Sequence, residues 1–303
     1  MAQYSIGLDL GGTNLRAAAI TREGKLLRKV SGRTNLGEGR EVVVDDMASA
    51  IHELIGEFGR EDLKGVGVGV PGFIEMKAGV IRDSPNLPCF VNFPMRDEVA
   101  KKLGVPVALE NDANAAAMGE KWMGAGRDVG DLVLLTLGTG VGGGIIVDGK
   151  ILHGFVGMAA ELGHMTVIPS GNPCGCGNQG CLEKHASATA ITAMAQLVGL
   201  GDDLTSEQVY ELAVRGSEKA RHCFSVMGRA LGIALATLVT TFNFPLYLLG
   251  GGVLPAWDLF APPMLEECAR RSYIFRNTDT RIEKATLGNE AGLYGSAFLG
   301  FGD

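Results

Sequence analysis

Asp131-Leu-Val-Leu-Leu-Thr-Leu-Gly-Thr-Gly-Val-Gly-Gly-Gly-Ile-Ile-Val-Asp148 repeats the design of Tyr4-Ser-Ile-Gly-Leu-Asp-Leu-Gly-Gly-Thr-Asn-Leu-Arg-Ala-Ala-Ala-Ile20. In each stretch an apolar run reads as a strand, a short Gly/Thr turn follows, and a second apolar run returns as its partner. The turns are Gly11-Gly12-Thr13-Asn14 and Gly138-Thr139-Gly140. A turn of this kind presents backbone N–H groups and a Thr hydroxyl to an anion, and Asp9 at the mouth of the first can hold Mg2+ through water. Neither is a Walker loop or a G-x-G-x-x-G that opens a helix, so the usual nucleotide fingerprints do not apply. Taken singly, each is equally a plain β-hairpin. Used twice, once in each of two lobes, the unit predicts a nucleotide whose phosphates are held between them.

Outward from the first hairpin, Lys25 to Thr34 reads as a third strand and Glu41 to Phe58 as an amphipathic helix. Gly65-Val-Gly-Val-Gly-Val-Pro-Gly72 is a buried strand whose alternating glycines suit close packing against a helix. Ser84-Pro-Asn-Leu-Pro88 is a rigid loop that presents Asn86, either as a turn cap or as a ligand contact. At Glu110-Asn-Asp-Ala-Asn-Ala-Ala-Ala-Met-Gly-Glu120 a strand ends in three polar residues, and a helix of very small side chains starts at once. Asn111 or Asp112 fits an N-cap there. The same strand end is where an α/β protein places reactive groups, and the residues alone leave both readings open.

Past the second hairpin, His185 to Leu197, Ser206 to Arg215 and Ser217 to Phe242 read as helices, the last one a central core element. Pro245 to Gly250 is a strand feeding a triple-glycine turn, Gly250-Gly251-Gly252. Adenine can lie on such a turn, which otherwise simply joins a strand to a helix. Glu290 to Leu299 closes the chain as a helix that crosses back onto the first lobe.

Cys174-Gly-Cys-Gly-Asn-Gln-Gly-Cys-Leu-Glu183 holds three of the six cysteines within eight residues, and Glu161-Leu-Gly-His164 lies just upstream. Cys174, Cys176, Cys181 and His164 make a ligand set suited to tetrahedral zinc. The alternatives are a Cys-bearing turn without metal, or a disulfide. A bound ion would also fix the carboxylates of Glu161 and Glu183 relative to each other. Cys89, Cys223 and Cys268 are scattered and read as ordinary thiols.

With 303 residues the chain suits two lobes better than one. Its formal charge of −7 argues against a nucleic-acid surface, which needs a basic stripe. No basic-plus-apolar leader opens the chain, and its apolar runs are interrupted short of a membrane span. Clustered thiols without such a leader point to a reducing cytoplasm and to metal binding.

Asp9-Leu-Gly-Gly-Thr-Asn14, Glu110-Asn-Asp112, Leu137-Gly-Thr-Gly-Val-Gly-Gly-Gly144, Glu161-Leu-Gly-His164 and the cysteine motif together resemble the ROK family of sugar kinases and repressors, most closely its bacterial glucokinases. The resemblance spans essentially the whole chain and implies a two-lobed, actin-like (ribonuclease H-like) α/β fold with a central cleft. It implies a smaller lobe of residues 1–110 plus 288–303 and a larger one of 111–287 that carries the zinc loop. It also implies an ATP-dependent phosphorylation of glucose, or a related hexose, with Asp112 as general base. Gly72, Asn86, Asn111, Glu161, His164 and Glu183 would hold the sugar. Gly11, Gly12, Thr13, Asn14, Thr139 and Gly140 would hold the phosphates, Gly251 and Gly252 the adenosine, and Asp9 would lie near Mg2+. The zinc would be structural, and the chain a homodimer or homotetramer. Kinases for mannose, fructose or an N-acetylated amino sugar share these motifs, and polyphosphate is an alternative donor. A sugar-responsive repressor is disfavoured, because the first hairpin begins at Tyr4 and leaves no room for a helix-turn-helix ahead of it.

Overall fold

The computed structural model describes residues 3–302. The chain forms, in order, β1 (Tyr4–Leu10), β2 (Asn14–Thr21), β3 (Leu26–Arg33), α1 (Arg40–Phe58), β4 (Leu63–Val70), β5 (Phe73–Glu75), β6 (Val80–Asp83), α2 (Met95–Leu103), β7 (Val107–Asn111) and α3 (Asp112–Trp122). Then come β8 (Leu132–Leu137), β9 (Val141–Val147), β10 (Lys150–Ile151), α4 (Glu183–Ala186), α5 (Ala188–Leu197), α6 (Ser206–Val214) and α7 (Glu218–Phe242). β11 (Leu246–Gly250), α8 (Trp257–Arg271), α9 (Tyr273–Asn277), β12 (Arg281–Lys284) and α10 (Ala291–Gly300) complete it.

The two hairpins are the same device. One five-stranded sheet runs β3-β2-β1-β4-β7 and the other β10-β9-β8-β11-β12, so each hairpin strand sits at the corresponding place in its own sheet. In the first, β1 is antiparallel to β2 and parallel to β4, which is parallel to β7. In the second, β11 lies parallel to both β8 and β12. Parallel neighbours send their carboxyl ends to one edge, which is where open α/β sheets place ligands.

The chain divides into two compact units. Of the described residues, the first takes 3–130, 144–160 and 286–302, and the second takes 131–143 and 161–285. The sequence reading set 111–287 in the second lobe; here α3 and 144–160 group with the first. The reason is packing. β1 and β4 are buried on both faces, with Ile6, Leu8, Val66 and Val68 joining Val43, Met47 and Ile51 of α1 in one core. On the other face lies α10, seated on glycine: a Cβ at Gly7 would stand 2.0 Å from Leu293 O, and one at Gly67 1.8 Å from Ser296 O. The alternating glycines of β4 therefore face α10, while its valines face α1. α3 meets α10 in the same way, for a Cβ at Gly119 would lie 2.1 Å from Ala291 O.

At Gly295 a Cβ would lie 1.6 Å from Ala115 O, which leaves no room for a methyl group. Gly295→Ala is expected to destabilise the first unit by about 1–3 kcal/mol through overpacking. In a unit of this size that lowers the melting temperature by about 2–4 °C per kcal/mol, read by thermal unfolding.

In the second unit α7 packs along α8, and although it is long and apolar enough by composition to cross a membrane, 67% of its most apolar window is buried inside the fold. The helix expected over 185–197 is broken: α4 ends at Ala186, and Ser187 caps α5 by accepting the Ala190 N–H at 3.0 Å. Ser187 competes with helix continuation by offering the backbone a side-chain acceptor.

Candidate active site

The carboxyl ends of β1, β4 and β7 bring the first unit's predicted site residues to one sheet edge. β1 ends at Leu10 in the turn Gly11–Asn14, closed by the Gly11 N–H donating to Asn14 O at 2.8 Å. Thr34 straps this turn, its hydroxyl donating to Gly11 O at 2.7 Å and its N–H to Thr13 O at 3.0 Å. A Cβ at Gly12 would meet Asn86 O at 2.8 Å, so glycine lets the turn approach the loop that carries Asn86. Asp9 pairs in register with Arg16 on β2. Burial pushes its carboxyl above the usual carboxylate range, against the opposing pull of Arg16.

β4 runs into Pro71 and Gly72. Gly72 has a φ of +118°, and a Cβ there would come within 2.6 Å of Asp83 O, so this corner requires glycine. Ser84 closes it by donating to Pro71 O at 2.8 Å. At the end of β7, Asn111 is the N-cap of α3: its Oδ1 accepts the N–H groups of Ala113 and Asn114, while its Nδ2 donates to Gly72 O at 3.4 Å. That resolves the capping question left open by the residues. Asp112 is the first residue of α3, half-buried, with Oδ1 accepting the Ala113 N–H at 2.9 Å. Its carboxylate sits at the positive end of the helix dipole.

Two residues to which the sequence reading gave no role stand directly behind this corner. Glu110 is buried, with Oε1 accepting the Asn111 N–H at 2.9 Å and Asn114 Nδ2 at 3.0 Å. Its Oε2 lies 2.7 Å from Nε2 of His153, 43 residues along the chain. The bond to Glu110 holds the His153 imidazole above its ordinary range, with burial opposing. A charged residue ending an apolar strand is a visible signal for Glu110; nothing in the local sequence marks His153.

In the second unit the turn Gly138–Gly140 closes the β8–β9 hairpin, with the Gly138 N–H donating to Gly140 O at 3.0 Å. The start of α5 supports it, since Ala188 N–H donates to Gly138 O and the Thr189 hydroxyl to Thr139 O, each at 2.8 Å. Glu183 also holds this turn. Its Oε2 accepts the Val141 N–H at 3.1 Å, and a Cβ at Gly140 would collide with that oxygen. At the parallel end of β11, Gly251 has a φ of +94° and sits against Leu137 O. Exposed Gly252 has open space where a Cβ would stand, so a planar group can reach the backbone.

The metal ligands predicted from sequence converge. Ligand atoms of His164, Cys174, Cys176 and Cys181 all lie within 4.8 Å of one another. Cys174 Sγ is 3.6 Å from His164 Nδ1, and Cys176 Sγ is 3.7 Å from Cys181 Sγ. Bonds of about 2.3 Å to sulfur and about 2.0 Å to nitrogen give a zinc tetrahedron edges of about 3.5–3.8 Å, so the donors fit the ion. The disulfide alternative fails, because all six cysteines are free thiols. Burial and the neighbouring thiols push Cys181 up to about 11, an environment that a dication reverses. Nδ1 of His164 is the ring nitrogen on the cysteine side, and Nε2 points the other way, 4.0 Å from Glu161 Oε2. Cys181 and Glu183 are two residues apart, so one short segment ties the Cys/His cluster to the Gly138–Gly140 turn.

The sequence profile of the ROK family matches residues 5–301. The glucokinase of Halalkalibacterium halodurans is 38% identical, over 98% of this chain and 94% of that protein. Among solved structures, the ROK hexokinase of Thermus thermophilus superposes with a TM-score of 0.90 at 37% identity, covering 99% of this chain and 98% of that one. A ROK glucokinase from Streptomyces griseus, in complex with glucose and AMPPNP, superposes with a TM-score of 0.82 at 34% identity, covering 98% of this chain and 99% of that one.

Proposed function

Because the chain belongs to the ROK family and has the actin-like ATPase fold, we propose that this ATP-dependent hexose kinase is a glucokinase, transferring the γ-phosphoryl group of ATP to the 6-hydroxyl of glucose. The observation that carries the reading is the corner at the end of β7. Asn111 spends its oxygen on capping α3, and Asp112 presents a half-buried carboxylate beside it at the ligand edge of the sheet. Asp112 takes the proton of the 6-hydroxyl as that oxygen attacks phosphorus; the bond from phosphorus to the β-phosphate oxygen breaks, and ADP leaves.

The remaining roles follow from what each residue can offer. Asn111, Asn86 and the backbone at Gly72 supply donors and acceptors for sugar hydroxyls, as do Glu161, His164 and Glu183. The turns at 11–14 and at 139–140 present N–H groups to phosphate oxygens. Gly251 and Gly252 accept the adenosine, and Asp9 would hold Mg2+, which would supply positive charge against the phosphate oxygens. Zinc on His164, Cys174, Cys176 and Cys181 would be structural and would supply rigidity only. The cytoplasm keeps those thiols reduced, and light scattering tests whether the chain is the homodimer or homotetramer that the reading carries with it.

ADP release, measured with ATP and Mg2+ over glucose, mannose, fructose, N-acetylglucosamine and N-acetylmannosamine, tests the substrate. Glucose is expected to dominate in kcat/KM. A preference for an N-acetylated sugar would overturn the glucose assignment and keep the kinase; absence of turnover with every sugar, in zinc-loaded protein, would overturn the kinase itself.

A further inference from the structure

We propose that Glu110 and His153 are a positioning pair for the base, with His153 anchoring the Glu110 carboxylate so that it sets the Asn111–Asp112 backbone and aims the Asp112 side chain. The inference rests on the reading of Asp112 as the base. Glu110 is only 2% exposed, yet both of its oxygens are engaged. One grips the Asn111 N–H and the Asn114 side chain, which are the residues on either side of Asp112 in the cap and first turn of α3. The other meets His153 Nε2 at 2.7 Å, the separation of a charge-assisted hydrogen bond. A buried carboxylate without a partner is costly, so the partner decides which way the carboxylate points.

His153 is anchored in its turn. Its carbonyl accepts the Ala159 N–H at 3.1 Å, closing the loop 153–159, and that loop is pressed onto β5, where a Cβ at Gly157 would stand 2.8 Å from Ile74 O. The loop base, the strand β5 and the first turn of α3 are thus linked through one carboxylate. Neither Glu110 nor His153 needs to touch the sugar, so their effect falls on the rate of transfer more than on binding. A displacement of about 1 Å at a reacting group costs about 100-fold in rate.

The test compares His153→Ala, His153→Gln and Glu110→Asp with the unmodified zinc-loaded enzyme, using glucose and MgATP. Glutamine keeps an N–H donor toward Glu110, whereas alanine removes it. The His153 side chain is 39% exposed, so water can solvate Glu110 in the alanine variant and the fold survives. His153→Ala is expected to lower kcat by about 10- to 100-fold with both KM values within about twofold. His153→Gln restores kcat to within about threefold of the unmodified enzyme, the margin left once the donor is back in place. Glu110→Asp keeps the charge but withdraws it from the Asn111 N–H, and lowers kcat alone in the same way; this variant decides the matter if His153→Ala does not fold. The proposal is overturned if kcat in His153→Ala stays within twofold of the unmodified enzyme, if glutamine rescues no better than alanine, or if the loss appears in KM. Asp112→Asn, assayed alongside, separates the two readings. Its loss of rate beside a fully active His153→Ala overturns the pair alone, while full activity in both removes the base as well.

Discussion

Asp112→Asn is expected to lower kcat by about 10²- to 10⁴-fold, with sugar KM changed by no more than a few-fold. The substitution isolates basicity. Asparagine keeps an oxygen at the same distance from the backbone, so the contact from the Ala113 N–H at 2.9 Å survives. Asn111 continues to cap the helix through its own Oδ1. The melting temperature should therefore stay close to that of the parent. On the role proposed for Asp112, what disappears is the group that takes the 6-hydroxyl proton as the oxygen attacks. Phosphoryl transfer asks mainly for positioning and charge neutralisation, which leaves a residual rate from the phosphate turns and Mg2+. Steady-state kinetics with glucose and MgATP read the effect; an unchanged kcat would remove Asp112 from the chemistry.

The second large effect is expected from Cys181→Ser, and from exhaustive chelation of the unmodified protein. Cys181 is the fully buried ligand of the four-donor cluster, and Leu182 and Glu183 follow it directly. With the ion bound, the loop from His164 to Cys181 is closed by coordination; without it, three thiols and an imidazole are left crowded together. Metal analysis should fall from about one zinc per chain to near zero, because a structural site with three ligands loses most of its affinity. Sugar KM should rise by about 5- to 150-fold, equivalent to unmaking one or two hydrogen bonds worth about 1–3 kcal/mol. ATP KM should rise with it, since Glu183 holds the Val141 N–H and so the Gly138–Gly140 turn proposed to bind phosphate. Thermal unfolding gives a readout independent of turnover. A zinc-free protein with the parent's melting temperature and both KM values intact would show that the cluster supports nothing.

Much of this arrangement is legible in the sequence. Gly11 to Asn14 and Gly138 to Gly140 were readable as turns because a turn is written by its own residues, and a strand by its own alternation or apolar run. The cysteine cluster was readable because three thiols suited to one ion fall within eight residues. Asn111 and Asp112 were readable as a pair but not as individuals. Which of the two caps α3 depends on where the backbone turns helical, with Asn111 extended and Asp112 the first helical residue, and both types make good caps.

The sequence by itself determined the two matching hairpins, the order of the elements, the donor set for a tetrahedral ion and the polar end of β7. All of these are set by neighbours along the chain, through φ preferences, side-chain periodicity and ligand spacing. The tertiary structure alone decided that α3 belongs with α10, that Glu110 is held by a histidine 43 residues away, and that Glu183 fastens a turn 42 residues before it. Those contacts join residues far apart in sequence, where no local preference acts. They exist because a buried carboxylate such as Glu110 must find a partner, because the half-buried Glu183 meets a turn N–H, and because each glycine face must be filled by whichever backbone the fold brings to it.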